Sequence, residues 1–206
     1  MVAKFLDPRL RLGRALEYDI WRSCNMIGVR GADPFGLAVP FADRGHEVRV
    51  VTERVQTFPF RRFRRFFSRE EAELARFAIQ DNHERARRRG VSIRFRAPRF
   101  EDIADGLRDG WIPLPLVHMG VVHRLDIPHW NVVTGIQEPV DGRSVDTIVE
   151  FHDPYPPKGR ARLRMPRARF EKMMKDIRDR MDSSRSLVLV RARQRGDRVR
   201  RPRAPG

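Results

Sequence analysis

What most constrains this 206-residue chain is the order of its periodicities: helix signals dominate early, and short strand-like stretches cluster later. In "GADPFGLAVPFADRG" (31–45), Asp33 can cap a helix, Pro34 suits its first turn and Gly45 suits its end. The stretch "HEVRVVTE" (46–53) then reads as a strand. Ser68 and Glu71 form a capping-box pattern for a helix to about Arg89, stopped by Gly90. "VSIRFRA" (91–97) alternates as a half-buried strand does. In the next helix Phe100, Ile103, Ala104 and Leu107 share one face. "PLPLVHMGVV" (113–122) predicts a buried strand. "HWNVVTGI" (129–136) and "SVDTIVEFHD" (144–153) predict paired strands joined around Asp141-Gly142. A last helix near 167–182 leads into the apolar strand "SLVLVRAR". Helices first and strands later predict an α+β fold, with N-terminal helices packed on an antiparallel sheet.

Length and composition bound the rest. The chain suffices for one domain over 1–192, and no polar linker divides it. The remainder, 193–206, belongs to a stretch with seven Arg and one Asp over 191–206, a composition that predicts a disordered basic tail. No apolar run approaches a membrane span and the start lacks a signal-peptide pattern, so the expected location is cytoplasmic. One cysteine, Cys24, excludes an internal disulfide and a thiolate zinc cluster, and no metal or cofactor is expected. Net charge is +16, from 43 Lys and Arg against 27 Asp and Glu, with clusters at "RRFRR" (61–65) and "ERARRR" (84–89). Such a field favours an anionic partner: an acidic protein, an anionic substrate or nucleic acid. No helix-turn-helix, zinc-finger or RNA-binding signature supports the last of these.

Three segments carry candidate chemistry: "GADPFGLA" (31–38), "HRLDIPHWNVVTG" (123–135) and "EFHDPY" (150–155). If the second and third lie on adjacent antiparallel strands, His129 and Asp153 reach hydrogen-bond range and the carboxylate fixes the imidazole tautomer. The N-terminus of the helix beginning at Pro34 would face them.

These segments resemble the papain-like family of double-glycine leader peptidases, within its bacterial branch of free-standing proteins. That branch carries a Gly-Cys-Gly-Pro pattern at the first helix, a Pro-His-Trp-x-Val-Val-Thr-Gly strand and a His-Asp-Pro strand end. The resemblance runs over roughly 15–192 and implies a papain-like cysteine peptidase fold, with His129 as base and Asp153 as its orienter. The departure is at the first motif. Anchoring on Pro34 puts Ala32 where the family has Cys and Asp33 where it has Gly. Alanine cannot attack a carbonyl, so cysteine proteolysis fails by chemistry. Asn25 is the nearest amide to the place of the family's oxyanion Gln. His123 and Trp130 are expected as walls of a substrate site, Cys24 as a packed small hydrophobe, His118 as a hydrogen-bonded core residue and Asp126 as surface.

Asp33 has two readings: a helix cap, or a new ionised carboxylate that anchors a cationic amine opposite His129. An intact His-Asp pair without a nucleophile suits intramolecular cyclisation, in which the substrate brings its own nucleophile and leaving group. The chain is also similar to the enzymes that close the aziridine ring of azinomycin- and ficellomycin-type antibiotics. That resemblance implies amine displacement of a sulfate ester, a substrate tethered to an acidic amino-group carrier protein, and a small partner subunit. The alternatives are an amidase or acyltransferase using Cys24, and a pseudopeptidase that binds an acidic protein.

Overall fold

The computed structural model describes residues 2–24, 31–58, 68–124, 126–139, 146–154 and 159–193. The helices are α1 (Val2–Leu6), α2 (Arg14–Cys24), α3 (Pro34–Asp43), α4 (Arg69–Arg88), α5 (Phe100–Arg108), α6 (Gly120–His123) and α7 (Arg167–Asp179). The strands are β1 (Glu47–Thr52), β2 (Ser92–Phe95), β3 (Ile112–His118), β4 (Pro128–Trp130), β5 (Val132–Gln137), β6 (Ile148–Asp153), β7 (Arg160–Pro166) and β8 (Ser186–Arg191). They form a five-stranded sheet in the order β2-β1-β8-β3-β4 and a three-stranded sheet in the order β5-β6-β7. The fold is α+β.

Helix α3 is the element around which the site is built. Asp33 caps it, Pro34 stands in its first turn, and Gly45 leaves it with φ +80°. Pro40 interrupts its interior and deprives the Gly36 carbonyl of its usual helical partner. Burial outweighs that defect. Phe35, Ala38 and Val39 are wholly buried, and α3 is packed among α2, α4, β1 and β8. Burying Phe35 and Val39 contributes on the order of 1.5–3 kcal/mol each. Helix α4 starts with the expected capping box, in which Ser68 and Glu71 bond reciprocally.

The core lies on both faces of the larger sheet. Val48, Val50, Val188 and Val190 face α3 and α4 with Phe35, Val39, Ala75 and Ile79. Val51, Leu187, Leu189 and Val117 face the other way, against Phe100 and Ile103 of α5, Phe170 and Met173 of α7, and Val133, Val149 and Phe151 of the smaller sheet. Strict alternation along β1 and β8 therefore feeds two separate hydrophobic layers.

Three expectations need correction. The larger sheet is mixed, because β1 and β2 run parallel while its other pairs are antiparallel. The expected strand 113–122 stops at His118 and turns into α6. Gly120 permits that turn: a Cβ there would sit 2.5 Å from His118 Cε1. The expected strand 129–136 breaks at Asn131, whose buried backbone N–H donates to the Pro115 carbonyl at 3.1 Å. His129 thus belongs to the larger sheet, paired with β3, while Val132 onward pairs with β6 in the smaller one. The Asp141-Gly142 turn, the Arg61–Arg65 cluster, Asn25 and residues 194–206 of the tail lie outside the described residues.

Candidate active site

The change of sheet at Asn131 brings His129 and Asp153 together. Alternation along β6 turns Val149, Phe151 and Asp153 inward, so the carboxylate ends a row of core side chains. The β6–β7 register slips between Phe151 and Asp153, beside Arg162 with φ +54°, an irregularity of the kind that re-aims side chains near sites. The Asp153 side chain is completely buried. Its Oδ1 lies 3.0 Å from His129 Nδ1, and its Oδ2 lies 2.5 Å from His123 Nε2. An ionised carboxylate only accepts, so His129 donates through Nδ1–H and its basic lone pair is on Nε2.

His123 corrects an expectation. It is no wall of an open pocket, since its side chain is 3% exposed and bonded to Asp153. The short helix α6, made possible by Gly120, delivers it there. His129 keeps 24% of its side chain exposed. Burial holds its pKa below the ordinary imidazole value, Asp153 pulls the other way through charge and hydrogen bond, and His123 adds to the depression. His129 is consequently neutral at pH 7.

Trp130 joins this pair to α3. Its indole Nε1–H donates to the Ala32 carbonyl at 2.9 Å, which ties the chain just ahead of α3 to the residue next to His129. The side chain expected to touch substrate thus has a bracing contact of its own.

Asp33 lies one residue further on and is 2% exposed. Its Oδ1 accepts from the Phe35 and Gly36 amides at 2.9 Å each, and its Oδ2 accepts from Asn82 Nδ2 at 2.7 Å. The helix terminus was expected to keep this carboxyl ionised. Burial outweighs the hydrogen bonds from Gly36, Asn82 and Phe35 and pushes it up to about 6, so the carboxyl is still ionised at pH 7 but at a cost. Gly36 is what lets Asn82 approach: a Cβ there would meet Asn82 Nδ2 at 2.7 Å, Asp33 Oδ2 at 2.9 Å and the Cys24 carbonyl at 3.0 Å. Asn82 escaped the sequence reading, though a signal existed. It stands in the buried stripe Ala75, Ile79, Asn82, Ala86 of α4, where an amide requires a partner.

Residues 1–190 match the model of the Peptidase C39-like family. The chain belongs to that family. No curated protein and no solved structure matches it significantly. In this Peptidase C39-like chain, the Ala32 carbonyl is held by Trp130, the residue that follows His129 on β4. Cys24 is no substitute: burial, then the nearby Asp33 carboxylate, push its thiol up to about 11, and its Sγ rests 3.7 Å from the Trp21 carbonyl. His118 is a core residue, 1% exposed at its side chain and bonded through Nε2 to Asp126 Oδ1 at 2.7 Å. Asp126 itself is exposed. Among the described residues, no group of His, Cys, Asp or Glu is arranged to hold a metal. None of the described helices is long and apolar enough to cross a membrane.

The arrangement can accept a proton at His129 Nε2 and disperse the resulting charge onto Asp153. It offers no thiolate and no other activated nucleophile among the described residues. The first two free amides of α3 are occupied by Asp33.

Proposed function

We propose that this protein is an acid–base enzyme that works without a covalent intermediate and catalyses an intramolecular cyclisation. The observation that carries this reading is the His129–Asp153 bond, an oriented neutral base with no activated nucleophile beside it among the described residues. In the proposed step, an amine of the substrate attacks a neighbouring carbon bearing a sulfate ester. The new C–N bond forms as the C–O bond breaks, and sulfate leaves with the electron pair. The amine proton passes to His129 Nε2, and the imidazolium is stabilised by Asp153. The product is an aziridine. The chain contributes alignment and proton removal, both of which intramolecular displacement needs. The substrate is proposed to ride on an acidic amino-group carrier protein, to which a chain of net charge +16 is complementary, with a small partner subunit assisting. The proposed setting is antibiotic biosynthesis in the cytoplasm.

Asp33 enters the proposal as a positioning residue rather than an amine anchor, because its oxygens are already engaged by Phe35, Gly36 and Asn82. An acyltransferase reading based on Cys24 has its thiol protonated at neutral pH. The test is sulfate release from an amino sulfate ester on the carrier. His129→Ala should lower the rate by about 10²–10⁴, the scale of general-base catalysis, and Cys24→Ser should leave it unchanged. Full activity in His129→Ala, or complete loss in folded Cys24→Ser, overturns the reading. A protein that binds the carrier but never releases sulfate would be a pseudopeptidase.

A further inference from the structure

The other edge of the larger sheet holds a second feature. A groove of about 480 Å³ is lined by residues that include Arg49, Arg89, Arg94, Trp111 and Arg193, with Glu47 the one carboxylate among them. It lies by β1 and β2, at the opposite edge from His129 on β4. Four strand spacings of about 4.8 Å separate β2 from β4, roughly 19 Å across the sheet.

Pairing places the cations together. Arg49 on β1 stands opposite Ser92 on β2, and Arg94 is two residues further along, on the same face. Their Cα atoms are therefore roughly 8 Å apart, within reach of one common anion. Among the described residues, neither Arg49 nor Arg94 has a carboxylate within ion-pair distance, whereas Arg89 pairs with Asp43 and Arg191 with Glu47. The Arg49 and Arg191 guanidinium carbons lie over the Trp111 ring, 4.1 and 4.6 Å from its centroid.

Trp111 is 3% exposed, and its shielded Nε1–H has no acceptor; the Arg191 Nε–H beside it is likewise unmatched. Orphaned donors of this kind are uncommon, and here they adjoin two unneutralised guanidiniums. The Glu47 carboxylate in the same groove is taken up by Arg191 at 2.8 Å, which leaves these donors and the Arg49 and Arg94 charges without an acceptor among the described residues. The C-termini of α3 and α4 approach through Gly45 and Gly90 and would oppose an anion. Their last carbonyls, however, already accept from Gly45, His46, Gly90 and Val91.

We propose that this groove is a second binding site, separate from the candidate active site, for a phosphate-type tetrahedral oxyanion on a small molecule. Arg49 and Arg94 grip the oxyanion, and Trp111 donates its indole N–H to one oxygen. Donors converging from several directions suit a tetrahedral group better than a planar carboxylate.

The test uses ¹⁵N-labelled full-length protein and follows the indole N–H signals of Trp21, Trp111 and Trp130 as inorganic phosphate is added, with sodium chloride at matched ionic strength as control. The Trp111 signal should shift saturably with phosphate and not with chloride, while the other two stay in place. In Arg49→Gln/Arg94→Gln the same titration should be at least tenfold weaker, with unmoved Trp21 and Trp130 signals showing an intact fold. Where the double variant fails that control, Arg94→Glu on the exposed edge strand should produce the same loss. Trp111→Phe, followed by calorimetry with phosphate, should bind several-fold more weakly. A Trp111 signal indifferent to phosphate, equal shifts with chloride, or undiminished affinity in the arginine variants overturns the proposal. Sulfate that competes equally leaves the oxyanion site standing and broadens it to sulfate esters; acetate that competes equally refutes the tetrahedral preference.

Discussion

Replacing Asp33 by Asn separates a buried cap from an ionised anchor. In the fold the carboxyl is pushed from about 3.8 to about 6 by burial. Between those values the folded chain binds its proton more tightly than the unfolded chain does. The stability contributed by the neutral carboxyl is therefore complete below about pH 4 and lost as pH rises through 6. Roughly two units at 1.36 kcal/mol each make the ionised form costlier by about 3 kcal/mol at neutral pH. The substituted amide is neutral throughout, and its oxygen can still accept from Phe35 and Gly36. Its NH₂ faces Asn82 Nδ2, and turning Asn82 over forfeits the bond from Arg85 at 3.1 Å. That loss costs about 1 kcal/mol. Asp33→Asn should thus stabilise the protein by roughly 2 kcal/mol near pH 7.5 and destabilise it by roughly 1 kcal/mol below pH 4. Urea unfolding followed by circular dichroism across this range reads the change of sign. A variant that is less stable at pH 7.5, or a difference independent of pH, would mean that a cation stabilises the ionised carboxylate. The amine-anchor reading would then return.

Gly36→Ala drives a methyl into Asn82, Asp33 and the Cys24 carbonyl, and should lower unfolding stability by about 1–3 kcal/mol in the same assay. Cys24 should react with iodoacetamide at neutral pH far more slowly in the folded protein than in urea, because burial and Asp33 push its thiol up to about 11; equal rates would place it at the surface. His123→Phe removes a neighbour that depresses His129 and one of two donors to Asp153, so the acid limb of the pH–rate profile should move upward by a measurable fraction of a unit. A profile that stays put while only stability falls would reduce His123 to packing.

Much of the fold was legible because local chemistry and tertiary structure agree. The Asp33 cap, the Ser68–Glu71 box, Gly90 and the apolar run of β8 each signalled an element that forms. What escaped was long-range. Nothing local distinguishes a strand that continues through Asn131 from one that changes sheets there, since the break depends on the Pro115 carbonyl and the packing of Met119. The parallel pairing of β1 with β2 depends on α4 crossing between them. For the candidate site, the His129–Asp153 pair was foreseeable from motif order, whereas the roles of His123 and Asn82 were not. His123 was expected as a wall of a substrate site, and only the turn at Gly120 into α6 carries it onto Asp153. Asn82 left one clue, its place in the stripe Ala75, Ile79, Asn82, Ala86, but nothing local says that this stripe faces Asp33.

The central claim is that His129 is a neutral base with its lone pair on Nε2, held by Asp153. Titrating the imidazole nitrogens of ¹⁵N-labelled protein by NMR, with His129→Ala to assign the signals, tests it most directly. The account predicts a His129 ring uncharged at pH 7, protonated on Nδ1, and titrating below the ordinary imidazole value, because burial prevails over the pull of Asp153. A His129 that is still an imidazolium at pH 7, or a neutral ring carrying its proton on Nε2, would contradict it.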